Sequence, residues 1–174
     1  MEVGIVDNEN NKSAFRLNNV SIFEIKDSLI KSVYTKEVLE KLHEWFGNKQ
    51  ALDDYVAKVA RLPYWAALDK ESNCIGFFAV KIHYGHTGDV FVCGVLPEYH
   101  RSGIGKALYN IAEAYLIQNC CKYVIVKTLS DTVSYQPYFR TREFYKSVGF
   151  EPLITLTEMW DDDNPCLVMI KTLS

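Results

Sequence analysis

Two glycines one residue apart, with a basic side chain on each side, form the stretch of this chain best suited to bind an anion. The stretch is Arg101-Ser-Gly-Ile-Gly-Lys106, and apolar residues at helical spacing follow it as far as Leu116. The first turn of a helix presents unpaired backbone N–H groups and the positive end of the helix dipole. Glycines there let a phosphate approach the backbone, because they carry no Cβ. The stretch therefore predicts an anion site at a helix N-terminus.

An apolar segment of strand length leads into this turn. It runs from Asp89 to Leu96, and Pro97 ends it because proline cannot donate a hydrogen bond to a sheet ladder. A lone Gly-x-Gly before a helix is also common without any ligand, so an ordinary turn is the alternative. The two common nucleotide fingerprints are excluded, since neither Gly-x-Gly-x-x-Gly nor Gly-x-x-x-x-Gly-Lys-Ser/Thr is present.

The longer string Val95-Leu-Pro-Glu-Tyr-His-Arg-Ser-Gly-Ile-Gly-Lys-Ala-Leu108 resembles the acyl-CoA signature of the GNAT superfamily of N-acyltransferases. That signature is Val-x-Pro at a strand end, then Arg/Gln-x-x-Gly-x-Gly/Ala opening a helix. His100 stands at the Arg/Gln position here, with Arg101 beside it. A second segment, Thr141-Arg-Glu-Phe-Tyr-Lys-Ser-Val-Gly-Phe150, is similar to the family's Phe/Leu-Tyr-x-x-x-Gly-Phe motif. Together the two matches cover about residues 89–150.

The resemblance implies acetyl-CoA as co-substrate and a set of positions that bind it. In the family the central strand carries a bulge and diverges from its parallel neighbour, and a glycine within a strand suits such a bulge or, alternatively, close packing. A common family Asn, seven positions before the motif tyrosine, is Tyr138 here. The implied cofactor-binding residues are Cys93, Gly94, Val95, His100, Arg101, Ser102, Gly103, Ile104, Gly105, Lys106 and Tyr138.

Two residues take catalytic roles by the same resemblance. Tyr145 occupies the motif tyrosine, whose phenol would protonate the departing sulfur; a core tyrosine is the alternative. Asp89 opens the central strand, where some family members carry a catalytic carboxylate, but it also follows Gly88 and suits a turn. His83 and His86 could act as bases through water, although such histidines are more often structural. Their spacing does not predict a metal site.

The acceptor is expected to be a primary amine of a small molecule or peptide. The acidic run at residues 161–163 would attract a cationic amine, with a solvated turn as the alternative. Trp45, Trp65 and Trp160 are candidates for the acceptor pocket or for the core. The resulting hypothesis is an N-acetyltransferase that works by direct attack in a ternary complex. The alternatives are a CoA-binding sensor or interaction module without catalysis, and a phosphate-binding regulatory domain.

Composition limits the remaining possibilities. A chain of 174 residues predicts a single domain over 1–174, and its net charge of −3 argues against a nucleic-acid binder. No apolar run is long enough to span a bilayer, and no signal-peptide pattern opens the chain, so neither a membrane role nor export is expected. Five cysteines without a Cys-x-x-Cys motif suit the reducing cytoplasm. A homodimer formed through the last strands is compatible with the expected fold.

The chain as a whole predicts an α/β fold of the GNAT type, with a mixed sheet of about six to seven strands and about four helices. The strands preceding the central one are expected to form an antiparallel meander, and the next is expected to be parallel to it by a right-handed crossover. Thr35 is predicted to cap the first helix, which would extend to Phe46. The expected strands besides the central one are 3–6, 20–25, 63–68, 75–84, 123–126, 150–156 and 166–171; the later helices are expected near 48–59, 104–116 and 141–148.

Overall fold

The computed structural model describes residues 15–17 and 19–174, whose strands form one mixed sheet in the order β1-β2-β3-β4-β5-β6-β8-β7. The strands are β1 Phe15–Leu17, β2 Val20–Glu24, β3 Tyr64–Leu68, β4 Cys74–His83, β5 Thr87–Val95, β6 Tyr123–Leu129, β7 Glu151–Asp161 and β8 Asn164–Thr172. The helices are α1 Ser28–Lys41, α2 Lys49–Lys58, α3 Ile104–Gln118 and α4 Gln136–Ser147. The expected α/β class is confirmed.

The sheet has eight strands, one more than the upper end of the prediction. The additional strand is β1, a three-residue segment that pairs with β2 in a hairpin. Its shortness and polar flanks gave no alternating pattern from which a strand could be predicted. The predicted strand at residues 3–6 lies outside the described residues.

The predicted pairing directions are confirmed. Strands β2 to β5 form an antiparallel meander, β5 and β6 are parallel, and α3 makes the connection between them. The last two strands pair as an antiparallel hairpin, and β8 lies between β6 and β7. Within the described part of the chain, no helix combines the length and apolar character needed to cross a membrane.

The first helix begins earlier than the sequence predicted. Asp27 is its cap, with a side-chain oxygen that accepts from the N–H groups of Leu29 and Ile30, both at 2.9 Å. Thr35 lies inside the helix instead, where it is buried and donates its hydroxyl to the Tyr64 hydroxyl at 3.1 Å. A threonine with a buried partner is tolerated in a helix interior despite its capping preference.

Two other boundaries also differ from the prediction. Helix α4 starts at Gln136, five residues before the predicted start, with Pro137 in its first turn where its missing N–H costs nothing. Strands β7 and β8 continue to a tight turn at residues 162–163. There the Asp161 carboxylate accepts from the Asp163 N–H at 3.0 Å and the Asn164 amide at 2.8 Å. The acidic run thus forms the exposed turn between the two strands, and its attraction for a cationic amine stays a prediction.

Helices cover both faces of the sheet, and two glycines of β5 show how closely they pack. A Cβ at Gly88 would lie 2.5 Å from the Leu116 side chain of α3. A Cβ at Gly94 would lie 2.6 Å from the Leu42 side chain, which directly follows α1. Side chains of a strand alternate between faces, and a bulge between these residues inverts the alternation. The two glycines therefore allow α3 and the end of α1 to approach opposite faces.

Candidate active site

A gap opens where β5 and β6 stop pairing. The parallel register runs from the Thr87–Tyr123 pair to the Val90–Val126 pair and ends there. Against β4, the register of β5 shifts at the same level, because Val80 faces Val90 while Ala79 faces Val92. Phe91 is thus the extra residue of a β-bulge, which bends the strand away from β6. The predicted divergence is present, but the bulge lies three residues before Gly94.

The part of β5 beyond the bulge turns one set of backbone groups toward this gap. The Leu96 N–H donates to the Ile75 carbonyl of β4 at 2.9 Å. Because alternate residues of a strand direct their backbone groups to opposite sides, Cys93 and Val95 direct theirs away from β4. Gly94 instead follows the close-packing alternative, since its missing Cβ makes room for Leu42. Of the three predicted residues, Cys93 and Val95 therefore turn their backbone groups to the gap, whereas the backbone groups of Gly94 face β4.

A cavity of about 940 Å³ occupies the gap and reaches the glycine turn. Its walls come from the bulged half of β5, the end of β6, α4, the N-terminus of α3, and the connection between α1 and α2. Of the predicted cofactor residues, the cavity is lined by Cys93, Gly94, Val95, His100, Arg101, Gly103, Gly105, Lys106 and Tyr138. Tyr145 also lines it. The structure thus brings most of the predicted site residues around one space.

The glycine turn has the backbone conformation of an anion-binding loop. Gly103 precedes α3 with φ of 87°, in the left-handed region, and no side chain caps the helix there. The N–H groups of the first turn of α3 therefore remain without a side-chain acceptor. Gly105 lies two residues further on, in the first turn of α3, where an added Cβ would lie 3.3 Å from the Phe144 ring. Arg101 and Lys106, both exposed, supply positive charge on this wall.

Three residues of the turn have other side-chain contacts. Ser102 donates its hydroxyl to the Tyr99 carbonyl, and Ile104 is buried in the core, which leaves their backbone N–H groups as the parts that could meet an anion. His100 donates from Nε2 to the Val95 carbonyl at 2.7 Å, because a carbonyl oxygen only accepts. The imidazole therefore fastens the turn to the end of β5.

Tyr145 and Cys93 meet across the gap. The Tyr145 hydroxyl lies 3.3 Å from the Cys93 sulfur, and its ring packs between Phe144 and Phe150. Burial, together with the neighbouring thiol, raises the pKa of Tyr145 well above its ordinary value. Burial also raises the pKa of the Cys93 thiol to about 11. Both groups therefore keep their protons at neutral pH, which suits Tyr145 as a donor and makes Cys93 a poor nucleophile.

Asp89 lies behind the cavity wall rather than in it. Its carboxylate is buried and accepts from the Lys127 ammonium on both oxygens, each at 2.8 Å. His83 adds a third contact, with Nε2 at 3.0 Å from one carboxylate oxygen. Lys127, by contrast, lines the cavity. These contacts differ from those of a free base, because both oxygens already accept hydrogen bonds and neither faces the cavity.

Much of the cavity wall outside the glycine turn is aromatic, and the Trp45 ring lies 6.1 Å from the ring of His100 in that turn. Trp45 and Trp160 line the cavity, whereas Trp65 packs in the core. The Tyr138 hydroxyl donates to the Trp45 carbonyl at 3.0 Å, so Tyr138 joins α4 to the α1–α2 connection. Burial raises the pKa of Tyr138 to about 12. Further aromatic rings of the wall include those of Phe46, Tyr55, Phe91 and Phe139.

Sequence reasoning missed several residues of the cavity wall. Phe91 and Tyr55 looked like ordinary core positions, but their rings meet at 5.4 Å between centroids and both line the cavity. Lys127 and Thr128 follow an apolar run in β6, and a lysine at that point was a usable signal that the strand leaves the core. The extent of β6 beyond Val126 was not predicted, so neither residue was considered.

The residues present fit an acyl-CoA molecule. The glycine turn offers free N–H groups and two cations for phosphates, and the unpaired edge of β5 offers backbone groups for an extended arm. The fold and the site together define a class of α/β proteins that have a glycine turn at a helix N-terminus and a gap between two diverging parallel strands. The profile of the acetyltransferase (GNAT) family matches residues 24–150, and the chain belongs to this family.

Individual relatives are more distant. The mycothiol acetyltransferase of Arthrobacter sp. (strain FB24) is 32% identical over 102 residues, which are 56% of this chain and 28% of that protein. The chain thus spans only about a quarter of the length of the curated relatives it matches. A GNAT-family acetyltransferase from Desulfovibrio desulfuricans has a similar fold, with a TM-score of 0.76 at 14% identity over 89% of this chain and 99% of that one. An aminoglycoside 6'-N-acetyltransferase solved with coenzyme A gives a TM-score of 0.69 at 18% identity over 88% and 97%.

Proposed function

We propose that this protein is an N-acetyltransferase that moves the acetyl group of acetyl-CoA to a primary amine of a small molecule or peptide. The observation that carries the proposal is the continuity of one cavity from the glycine turn at α3, through the gap between β5 and β6, to the Tyr145 hydroxyl. A cavity that follows this path could hold phosphates at the glycine turn and a thioester near Tyr145. The aromatic part of the wall near Tyr55, Phe91 and Trp160 would receive the acceptor.

The residues of the chain have distinct tasks in this proposal. Acetyl-CoA supplies an activated acetyl group. The N–H groups at the start of α3, with Arg101 and Lys106, bind the phosphates. The Cys93 N–H, which faces the gap, is placed to donate toward a developing oxyanion. Tyr145 holds the proton that a leaving sulfur needs. Asp89 is a positioning residue that holds the Lys127 ammonium against the cavity wall, while water removes the proton of the acceptor amine.

Calorimetric titration with acetyl-CoA, CoA and ADP tests the cofactor, and a panel of amines then tests the transfer. We expect saturable binding of acetyl-CoA and release of free thiol with at least one amine. Binding without release in the presence of small-molecule and peptide amines would favour the non-catalytic CoA-binding module. Absence of binding at millimolar acetyl-CoA would contradict both. Aminoglycosides, which the name of one structural relative mentions, belong in the panel because of the family likeness.

The protonated state of Cys93 supports direct transfer rather than an acetyl-enzyme. A thiol whose pKa is near 11 is less than about one part in a thousand ionised at neutral pH, so it does not form an acetyl-enzyme at a useful rate. We expect intersecting initial-velocity patterns, no acetylated protein in the mass spectrum after incubation with acetyl-CoA, and a Cys93→Ala variant that keeps activity within about fivefold. Parallel patterns together with an acetylated Cys93 would contradict direct attack.

We also propose a homodimer in which β7 pairs with β7 of a second copy. All of β7 is exposed, and its outer side pairs with no strand among residues 15–17 and 19–174. It presents the large apolar side chains of Leu153, Ile154, Leu156, Met159 and Trp160. An apolar edge strand of this length is a template for pairing with another chain.

Sedimentation equilibrium tests the dimer. We expect wild-type protein to sediment as a dimer and Leu156→Lys, at the centre of β7, to sediment as a monomer. The matched control is Leu29→Lys, which places the same charge at an exposed leucine of α1 and should leave the dimer intact. Wild-type protein that stays monomeric at high concentration would contradict the interface. The five cysteines, all free, are consistent with the reducing cytoplasm as the proposed location.

A further inference from the structure

Thr128 of β6 has a hydroxyl that is buried and lacks a hydrogen-bond partner among the described residues. The residue is only 2% exposed, and it lines the cavity. An unpaired buried hydroxyl costs free energy, and native proteins satisfy nearly all such groups. The missing partner is therefore expected to come from a molecule that occupies the cavity.

The Thr128 side chain lies on the opposite face of β6 from the side chain of Lys127. Lys127 turns its ammonium to Asp89, and successive side chains of a strand point to opposite faces. Thr128 therefore points to the other face, toward α4. Cys93 of β5 points to that same face, because its sulfur meets the Tyr145 hydroxyl of α4.

Thr128 and Cys93 also lie at the same level along the gap. Thr128 lies two residues past Val126, the last residue of β6 that pairs with β5. Cys93 lies three residues past Val90, but the bulge at Phe91 takes up one of them. Both residues thus lie roughly 7 Å beyond the last pair, at the spacing of an extended chain. Thr128 therefore stands across the gap from Cys93, close to the level of Tyr145.

We propose that the Thr128 hydroxyl binds an amide of the CoA arm where the arm passes between β5 and β6. The inference rests on the proposed function. A hydroxyl both donates and accepts, and an amide offers both complements, whereas the charged phosphates belong with the cations at the other end of the cavity. The hydroxyl then gains its partner only when the arm is bound. Thr128 is therefore a binding residue, and its unpaired hydroxyl lowers the stability of the free protein only.

A Thr128→Val variant tests this, because valine has nearly the same shape without the hydroxyl. Thr128→Ser is the matched control that keeps the hydroxyl. We expect Thr128→Val to bind CoA and acetyl-CoA about tenfold more weakly and ADP, which lacks the arm, with unchanged affinity. Its Tm without ligand should equal or exceed that of the wild type, since no native hydrogen bond is lost. Thr128→Ser should stay within about threefold of wild-type affinity.

Each other outcome contradicts the assignment in a recognisable way. Equal binding of CoA by Thr128→Val and wild type would show that the hydroxyl has no ligand in the arm. A lower Tm with weaker ADP binding would show a structural role, and a loss confined to acetyl-CoA would move the contact from the arm to the acyl group. A wild-type protein that binds neither CoA nor acetyl-CoA would overturn the proposed function as well, whereas wild-type binding with an unaffected Thr128→Val overturns only the role of Thr128.

Discussion

A Tyr145→Phe variant is expected to lose about 100-fold in kcat, or roughly 2.7 kcal/mol of transition-state stabilisation, while its affinity for acetyl-CoA changes by less than about twofold. The substitution removes only the hydroxyl that contacts the Cys93 sulfur, and the ring keeps its packing against Phe144 and Phe150. Steady-state kinetics with an accepted amine, combined with calorimetric titration of acetyl-CoA, separate the two effects.

Tyr109 provides the matched control for this variant. It is likewise buried and packs against Phe150, but its hydroxyl donates to Glu113 at 2.9 Å and it does not line the cavity. Tyr109→Phe should lower stability while leaving kcat within about twofold of the wild type. Equal activity of Tyr145→Phe and wild type would contradict proton donation by Tyr145 and would favour a core role for the ring.

The raised pKa of Tyr145 adds a pH signature. A tyrosine donates only while it is protonated, and a pKa above the ordinary value extends the protonated range upward. We expect kcat to be constant or to rise between roughly pH 7 and pH 10, because deprotonation of the amine is favoured there and Tyr145 keeps its proton. A fall in kcat across this range that is absent in Tyr145→Phe would contradict the assignment.

Replacement of Gly105 by valine is expected to weaken acetyl-CoA binding by about 30-fold or more, or roughly 2 kcal/mol. Gly105 lies in the first turn of α3 and lines the cavity, and a Cβ there already comes within 3.3 Å of Phe144. Branched carbons would therefore occupy the space between α3 and α4 through which phosphates reach the backbone N–H groups. Calorimetric titration measures the loss.

Gly105→Ala separates steric exclusion from changes in the helix itself. Alanine adds a single carbon that a small movement of the Phe144 ring can accommodate, so its affinity should fall by less than about threefold. Both substitutions favour helix formation over glycine, but valine also crowds Phe144. Thermal unfolding of both variants therefore shows whether any loss of stability accompanies the weaker binding. If valine and alanine bound acetyl-CoA equally well, the N-terminus of α3 would not be the phosphate site.

The pairing directions of the sheet were largely predictable from local patterns. Short polar turns between apolar runs indicated the antiparallel meander, and a helix between two apolar strands indicated the parallel crossover. Helix starts were less predictable, because a capping preference depends on what else the side chain can contact. Thr35 has the composition of a cap, but the buried Tyr64 hydroxyl gives it a different partner.

The features of the site were likewise predictable where they are local and unpredictable where they depend on distant elements. The glycine turn could be predicted from the order of residues in the chain, because glycines, flanking cations and a helix start are all local features. The same order decided which tyrosine matches the family motif. Only the tertiary structure decided that the bulge falls at Phe91, that Gly94 makes room for Leu42, and that the Asp89 carboxylate is held by Lys127. Each of these depends on an element distant in the chain, since register, close packing and ion pairing arise only when β4, α1 and β6 are brought against β5.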